Sequence, residues 1–388
     1  MISAIAIENY RSIRSLVLPL QSLNVVTGSN GTGKSSLYRA LRLLADSARN
    51  GAVAALAREG GLPSTLWAGP AVIGRAVKSG QHPVQGTTRP GPVTLRLGFA
   101  SDEFSYAVDF GLPVKSESAF ALDPEIKREA VWSGPVLRPA ALLSERRNGQ
   151  VSLRQDDGSW SQLPGSLSPF DSMLSEVGDV QSAPEIYGVR EQLRSWRFYD
   201  HFRTDPQAPA RTAQIGTRTV ALGHDGADLA AALQTIHEVG DAGLLAETVD
   251  RAFPGSRLQI DTSGGRFSVS LQQPGMLRPL GTAELSDGTL RYLLLVAALL
   301  TPRPPGLLIL NEPETSLHPD LLAPLGELVV SAAKASQLVV VTHAAALIEQ
   351  VEQRADDLQL TELTKELGET RVVGERALGG PRWVWPER

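Results

Sequence analysis

The chain has 388 residues, 42% of them hydrophobic, so it is long enough to bury a large core as one domain or two joined lobes. Its lack of cysteine excludes disulfides and thiolate metal sites, and its net charge of −5 gives no overall electrostatic signature of nucleic-acid binding. We expect a cytoplasmic protein without a membrane partner, because no stretch approaches the roughly 20 apolar residues of a membrane span and the N-terminus lacks a secretory pattern.

The first 50 residues have the pattern of strands, a glycine-rich loop and a helix. Residue alternation predicts strands over residues 2–7 and 16–20, with a turn at residues 9–12. The run at residues 23–27 predicts a third strand, which leads directly into the loop. Helical spacing follows the loop, at Leu37, Leu41, Leu44 and Ala48.

The middle of the chain is expected to hold a β-rich side lobe and a helical insertion. Residues 50–90 are rich in Gly, Pro and Ala and predict loop with short helix. Antiparallel strands are expected at 93–99 and 104–110, helices at 170–194 and 226–253, a break at 204–213, and hairpins at 257–271 and 357–373. We therefore divide the chain into an N-terminal lobe (1–165), a helical insertion (166–255) and a C-terminal lobe (256–388).

Residues 28–35 have the sequence GSNGTGKS, which matches the phosphate-loop pattern at every fixed place and in the required strand-to-helix context. Glycines let backbone N–H groups turn toward a phosphate, and the following helix directs its positive end at the same anion. Lys34 would contact the β- and γ-phosphates, and the Ser35 hydroxyl would ligate Mg²⁺. An ordinary glycine turn is the alternative, but it gives the lysine and serine no role. The predicted ATP-binding residues here are Gly28, Asn30, Gly31, Thr32, Gly33, Lys34, Ser35 and Ser36.

Two apolar runs, residues 305–310 and 337–341, predict strands buried in a parallel sheet. Asn311 and Glu312 follow the first run, and His343 follows the second. Ligands bind at the carboxyl ends of such strands, so we expect Glu312 and His343 to lie together beside the phosphates as the catalytic pair. Glu312 is the candidate for activating water. The alternatives are a glutamate that complements a helix dipole and a structural histidine.

A second anion-binding device is predicted where residues 284–291 introduce a helix that is apolar on all sides. Ser286 is its expected N-cap, and Gly288 lies in its first turn. One chain cannot easily fold two such devices around the same phosphate, so this one is a candidate for another chain's nucleotide. Simple helix capping is the alternative.

Together these motifs resemble the SMC/RecF-like group of ATP-binding-cassette ATPases, including small predicted AAA-type ATPases related to the overcoming-lysogenization-defect nucleases. The likeness runs from the first residues to about residue 345, and residues 51–282 are covered only loosely. The similar segments are residues 7–12 (the N-[FY]-[RK]-S turn), 28–35 (Walker A), 285–289 (signature), 307–312 (Walker B), 315–318 (D-loop) and 342–343 (switch histidine).

The resemblance implies an α/β P-loop ATPase head with a mixed sheet and without a nuclease domain. It also implies an ATP-dependent head-to-tail homodimer, in which each ATP meets Walker A of one chain and Ser286 and Gly288 of the other. Arg11 and Ser12 would lie near the nucleotide. Mg²⁺ would be held by Ser35 and Asn311.

Three positions depart from the wider pattern of the family. Asn311 stands where an aspartate is usual, so it removes a negative charge from the metal side. Asp287 replaces a signature glycine and brings an anion that Arg291 or another cation would have to offset. His318 replaces the aspartate that transporters have in the D-loop. For the glutamine of the Q-loop, Gln150 and Gln181 are both candidates.

The leading functional hypothesis is an ATPase that acts on double-stranded DNA, or through a nuclease or effector partner, in DNA repair or defence against foreign DNA. The DNA part depends on analogy of fold. A regulatory ATP sensor with little hydrolysis is the alternative that Asn311 suggests, and a transporter subunit is a third. The aromatic and basic residues 194–203 could stack on bases, but we favour a core strand flanked by solvated charges. No clustered acidic and histidine residues indicate a second metal centre.

Overall fold

The computed structural model describes residues 1–49, 51–69, 94–113, 119–177, 179–374 and 383–387. Contacts within the chain divide it into two compact units that alternate along the sequence. The first unit contains residues 1–21, 27–196 and 361–388, and the second contains residues 22–26 and 197–360. The division into three consecutive lobes, made from the sequence, stays a prediction.

An eight-stranded antiparallel sheet forms the centre of the first unit, with the order β2-β1-β4-β5-β6-β7-β8-β9. Strand β3 belongs to a different sheet. The antiparallel pair expected at residues 93–110 is confirmed as β4 and β5. The strands of this part of the chain are β1 (Ile2–Tyr10), β2 (Ile13–Pro19), β3 (Leu23–Thr27), β4 (Leu95–Ser101), β5 (Phe104–Gly111), β6 (Glu125–Ser133), β7 (Leu142–Arg147), β8 (Gln150–Arg154) and β9 (Trp160–Gln162).

The turn between β1 and β2 has a left-handed backbone at two non-glycine residues, Asn9 with φ of 62° and Arg11 with φ of 52°. Asparagine is one of the non-glycine residues that are enriched in this region. Here its Nδ2 donates to the carbonyl oxygen of Thr94 at 2.9 Å. The turn predicted at residues 9–12 is therefore confirmed.

Five helices accompany this sheet within the part of the first unit that the structure describes. The first of them, α1, buries Leu37, Leu41 and Leu44, as their helical spacing predicts. Most of the loop predicted at residues 50–90 lies outside the described residues, because residues 70–93 are not among them. The five helices are α1 (Lys34–Ser47), α2 (Ala52–Arg58), α3 (Leu62–Thr65), α4 (Met173–Glu176) and α5 (Pro184–Ser195).

The second unit contains a parallel sheet in which β10, β15, β16 and residues 23–26 of β3 are neighbours in that order. Strands β15 and β16 have apolar residues on both faces, and almost all are buried, as continuous apolar runs predict. The hairpin expected at residues 257–271 is also present. The strands are β10 (Arg197–Tyr199), β11 (Gln214–Ile215), β12 (Arg257–Asp261), β13 (Arg266–Gln272), β14 (Leu280–Gly281), β15 (Leu307–Asn311) and β16 (Gln337–Val341).

Helix α8 is the central helix of the second unit. Its residues 290–299 are all buried, which agrees with a sequence that is apolar on all sides. Ser286 is its N-cap and accepts a hydrogen bond from the backbone N–H of Thr289 at 3.1 Å, as predicted. The helices of this unit are α6 (Leu229–Val239), α7 (Ala242–Ala252), α8 (Asp287–Leu299), α9 (Leu322–Ala332) and α10 (Ala345–Glu352).

The predicted tail hairpin is formed by β17 (Leu358–Glu366) and β18 (Glu369–Val372), which pair antiparallel. From residue 361 onward it belongs to the first unit. There the backbone N–H of Thr370 donates to the carbonyl oxygen of Ser12 at 2.8 Å. The hairpin therefore contacts the turn that follows β1.

The aromatic residues of the segment 194–203 are core residues. Trp196, Phe198 and Phe202 are each less than 4% exposed, so the core interpretation is confirmed for them and base stacking is not available to these rings.

No helix in the described part of the chain combines the length and the apolar composition that a membrane span requires.

Candidate functional site

The phosphate loop, residues 28–35, needs glycine at two positions for lack of space as well as for backbone conformation. Gly28 and Gly33 have φ of 143° and 112°. A Cβ on Gly28 would lie 2.4 Å from the carbonyl oxygen of Leu363, and one on Gly33 would lie 2.1 Å from Oγ1 of Thr370. Any side chain at these positions would displace the tail hairpin or the loop.

The loop's lysine is folded over the loop itself. Lys34 is 6% exposed, and its Nζ donates to the carbonyl oxygens of Gly28 at 2.6 Å and Ser29 at 3.1 Å. Helix α1 begins at this residue with no side-chain cap and no acidic residue in its first turn. Its positive end is therefore not neutralised by the chain's own side chains, which favours an anion.

Thr370 of β18 contacts both the phosphate loop and Ser12. Its hydroxyl donates to the carbonyl oxygen of Thr32 at 2.8 Å and lies 2.8 Å from Oγ of Ser12. Ser12 in turn lies 3.4 Å from Oγ of Ser36. Ser12, Thr32 and Ser36 are among the residues predicted from the sequence, whereas Thr370 is not, because no local pattern links it to a loop residue 338 positions away.

Arg11 points its guanidinium at a carboxylate of the same unit. Its Nη2 and Nε donate to Oε2 of Glu59 at 2.7 and 3.1 Å. Tyr10 donates to the same oxygen at 2.7 Å, and burial, followed by this bond, raises the pKa of Tyr10. The exposed residues Asn30 and Ser35 complete the predicted set on this loop and helix start.

In the second unit, the carboxyl ends of β15 and β16 bring Glu312 and His343 together, as expected from their positions after parallel strands. Nδ1 of His343 lies 3.7 Å from Oε1 of Glu312. The backbone N–H of Glu312 donates to the carbonyl oxygen of Val341 at 2.7 Å. Glu312 has φ of 48°, a left-handed conformation that is uncommon for glutamate.

Glu314 is a further acidic residue of this site, and it was not among the residues predicted from the sequence. Its side chain is 8% exposed, and its Oε1 accepts hydrogen bonds from Oγ1 of Thr342 at 2.6 Å and from the backbone N–H of His343 at 3.2 Å. The same oxygen lies 3.4 Å from Nδ1 of His343. Its other oxygen, Oε2, is buried without a hydrogen-bond partner among the described residues. The second glutamate of the NEPE sequence was the available signal.

A buried arginine, Arg291 of α8, contacts the backbone of Glu312. It is 2% exposed, and its Nη2 donates to the carbonyl oxygen of Glu312 at 3.2 Å. Its Nη1 lies 3.2 Å from Nδ1 of His201. Burial lowers the pKa of Arg291, and the charges of Glu314, Asp200 and Glu312 oppose that shift. The guanidinium therefore connects the signature helix to the Glu312 backbone.

The signature segment, residues 285–289, forms the start of α8. Asp287 is paired with Arg211 at 2.5 Å, so the offsetting cation is Arg211 and not Arg291. A Cβ on Gly288 would lie 3.0 Å from the carbonyl oxygen of Ser316, a D-loop residue with φ of 65°. Glycine at position 288 therefore lets α8 approach the D-loop closely.

The remaining family positions have local partners. His318 accepts a hydrogen bond from the backbone N–H of Asp320 at 3.3 Å and begins a short 3₁₀ turn. Nε2 of Gln150 donates to the carbonyl oxygen of Leu163 at 2.9 Å, and the backbone N–H of Gln181 donates to Asp179 at 3.0 Å. These contacts select neither glutamine for the Q-loop.

The described residues contain no group of three or more His, Cys, Asp or Glu side chains that could enclose a metal ion. The predicted ligands are instead the Ser35 hydroxyl and the Asn311 amide oxygen. Two hard oxygen donors suit Mg²⁺, which keeps several waters and is completed by phosphate oxygens in nucleotide sites. Each of these two oxygen donors, one in each unit, is therefore of a chemical type that fits the ion.

Comparison with known structures covers nearly the whole chain. A crystal structure of an SMC head bound to the C-terminal winged-helix domain of ScpA matches with a TM-score of 0.52 and 13% identity, over 96% of both chains. An SMC head with an extended coiled coil, bound to the C-terminal domain of ScpA from Pyrococcus furiosus, matches with a TM-score of 0.50 and 13% identity, over 96% of this chain and 95% of that one. The fold is that of an SMC ATPase head.

Two family models match parts of this head. Residues 1–70 match "AAA ATPase domain", and residues 170–349 match "AAA domain, putative AbiEii toxin, Type IV TA system". The first range contains the phosphate loop, and the second contains Asn311, Glu312 and His343. No curated protein matches the chain. The chain therefore has the fold of SMC heads and contains two segments that match models of AAA-type ATPase domains.

Proposed function

We propose that this chain binds ATP with Mg²⁺ through residues 28–36 and hydrolyses it. The observation that carries the proposal is the phosphate loop itself, with its buried Lys34 and the uncapped positive end of α1. In the described structure the lysine satisfies two loop carbonyls, and a triphosphate would offer its ammonium a stronger, charged acceptor.

Each proposed role follows from the chemistry of the side chain. Glu312 accepts a proton from the water that attacks the γ-phosphate, and His343 holds that carboxylate or the water in place. Ser35 and Asn311 supply oxygens to Mg²⁺, which when bound neutralises charge on the β- and γ-phosphate oxygens. Water adds its oxygen to phosphorus, the bond to the β-phosphate oxygen breaks, and ADP and inorganic phosphate leave.

Two variants test this proposal together. Lys34→Ala should abolish or severely weaken ATP binding, because it removes the fixed cation over the β- and γ-phosphates. Glu312→Gln should keep ATP bound and lower turnover by about two to four decades, the range for loss of a general base. Calorimetric titration with ATP and a phosphate-release assay measure the two effects. Unchanged affinity in a folded Lys34→Ala protein would overturn the site. ATP binding without turnover in the wild type would instead favour a regulatory sensor.

We infer that ATP also drives formation of a head-to-tail homodimer. The support is the exposed N-terminus of α8, where Ser286 and Gly288 offer donors to an anion, and the likeness of fold to SMC heads. Glu312→Gln should lengthen the lifetime of this dimer, because the nucleotide that bridges it is not consumed. Analytical ultracentrifugation with and without ATP measures the dimer.

The biological target is proposed to be double-stranded DNA or a protein effector, in DNA repair or defence against foreign DNA. The two similar SMC heads are bound to ScpA in their structures, which supports a protein partner for heads of this fold. Anisotropy titration of the Glu312→Gln protein with DNA and ATP, at two salt concentrations, separates the choices. ATP-dependent binding that falls steeply with salt supports direct DNA contact through phosphates. No binding at low salt removes DNA as the direct target and leaves the protein effector.

A further inference from the structure

The carboxyl ends of β10 and β15 bring an aspartate against the metal-side asparagine. The two strands are parallel, with Tyr199 opposite Leu310, so Asp200 and Asn311 leave the sheet side by side. Nδ2 of Asn311 donates to Oδ1 of Asp200 at 2.7 Å. The register of the two strands places these residues next to each other, and their short side chains make the contact.

This hydrogen bond fixes which atom of the amide is available to a metal. A carboxylate accepts hydrogen bonds and does not donate them, so the group that faces Asp200 must be the NH₂ of Asn311. The amide oxygen, Oδ1, then points away from Asp200. Oxygen is the only amide atom that ligates Mg²⁺ or accepts a hydrogen bond from an Mg²⁺-bound water. Asp200 therefore directs the amide oxygen of Asn311 away from itself, where the oxygen is available to a metal.

The end of β10 is also held on its other side. His201, the next residue, lies 3.2 Å from the buried Arg291, whose second guanidinium nitrogen donates to the backbone of Glu312. His201, which follows Asp200, and the backbone of Glu312 therefore contact the same arginine. Asp200 is one of three carboxylates whose charge acts on Arg291. It supplies negative charge beside position 311, where the side chain itself has none.

We propose that Asp200 is a positioning residue for Mg²⁺ binding, which orients the Asn311 amide oxygen and supplies the negative charge that an aspartate at 311 would carry. The inference rests on the proposed function, because it needs a nucleotide with Mg²⁺ at the phosphate loop. It differs from that proposal in assigning a role to a residue that follows β10, a strand that contains none of the motif residues identified in the sequence. It also explains how the negative charge that Asn311 lacks is supplied by a neighbouring carboxylate.

The first test uses binding and not turnover as its readout. The affinity for a non-hydrolysable ATP analogue is measured by calorimetry at a series of Mg²⁺ concentrations. Asp200→Asn should raise the Mg²⁺ concentration for half-maximal effect about tenfold or more, the usual effect of losing an outer-shell carboxylate. Asp205→Asn is the matched control, since Asp205 is an exposed aspartate paired with Arg203. It should leave the Mg²⁺ dependence unchanged.

The second test exchanges the two side chains. Asn311→Asp alone places two carboxylates at hydrogen-bond distance, which lowers the melting temperature and does not tighten Mg²⁺ binding. The double variant Asn311→Asp/Asp200→Asn restores one amide and one carboxylate. It should melt above the single Asn311→Asp variant and return the Mg²⁺ dependence to within about threefold of wild type, since contacting residues couple strongly.

The outcomes separate the two proposals. If the wild type binds no nucleotide at any Mg²⁺ concentration, the proposed function fails. If it binds with Mg²⁺ but Asp200→Asn matches Asp205→Asn, or the effects of the exchange simply add, the proposed function stands and Asp200 has no positioning role. Tighter Mg²⁺ binding by Asn311→Asp alone, with Asp200 still present, would also overturn the inference.

Discussion

Removal of one hydroxyl group at Thr370 should weaken nucleotide binding from outside the sequence motif. Thr370 is fully buried, and its hydroxyl is the donor to the carbonyl oxygen of Thr32 within the phosphate loop. Thr370→Val keeps the shape of the side chain but leaves that carbonyl and the Ser12 hydroxyl without this partner. A lost bond costs about 1 kcal/mol and a buried unsatisfied group about 1–3 kcal/mol, so we expect a total loss of about 1–3 kcal/mol.

The free-energy loss in Thr370→Val can appear as lower stability of the fold or as weaker ATP binding, so both quantities are measured. If the loop geometry bears the cost, ATP affinity falls about 5- to 150-fold, because 1.4 kcal/mol is a factor of ten. Calorimetric titration measures the affinity, and thermal melting measures the stability. Thr370→Ser keeps the hydroxyl and should retain most of the affinity. Thr364→Val changes an exposed threonine of β17 and should have no effect. Wild-type affinity and melting in Thr370→Val would refute the reasoning.

Two further predictions concern stability around the loop and the carboxylates. Glu314→Gln should lower the free energy of unfolding by about 1–3 kcal/mol, because the buried carboxylate accepts two hydrogen bonds and its charge acts on Arg291. The more exposed Glu312→Gln should change the free energy of unfolding by less than about 0.5 kcal/mol, and denaturant titration of both variants tests the contrast. Gly33→Ala should reduce melting temperature and ATP affinity more than Gly31→Ala, since both have positive φ but only the Gly33 Cβ would overlap Thr370. Equal losses in the two glycine variants would show that backbone strain alone is responsible.

The features predicted well from the sequence are those set within a short window. The strand β3, the helix α1, the buried strands β15 and β16 and the Ser286 cap each have a local pattern of polarity or a specific terminal residue. The order of residues after parallel strands also predicted that His343 lies beside Glu312, because parallel strands share a carboxyl edge. These predictions needed no knowledge of tertiary register.

The supporting residues could not be predicted in the same way. Thr370 contacts Thr32 across 338 residues, Asp200 contacts Asn311 across 111, and Arg211 contacts Asp287 across 76. Each contact depends on which strands or loops become neighbours, and periodicity within a short window carries no such information. Thr370 and Asp200 lie outside the motifs and are recognised only from the backbone register of their hairpin and strand.

The Asp287 departure illustrates how a local sequence conflict is resolved by a distant residue. An anion at the start of α8 would oppose the approach of a nucleotide phosphate, because it competes for the positive end of the helix. Arg211 pairs with Asp287, and its Nη1 also donates to the carbonyl oxygens of Thr282 and Leu285 at 2.8 Å, so the guanidinium is fixed by the backbone leading into the helix. Its side chain is 8% exposed, whereas that of Asp287 is 61% exposed. The carboxylate is thus paired with a cation of its own chain. The proposed homodimer therefore needs no additional cation from the second chain to offset Asp287.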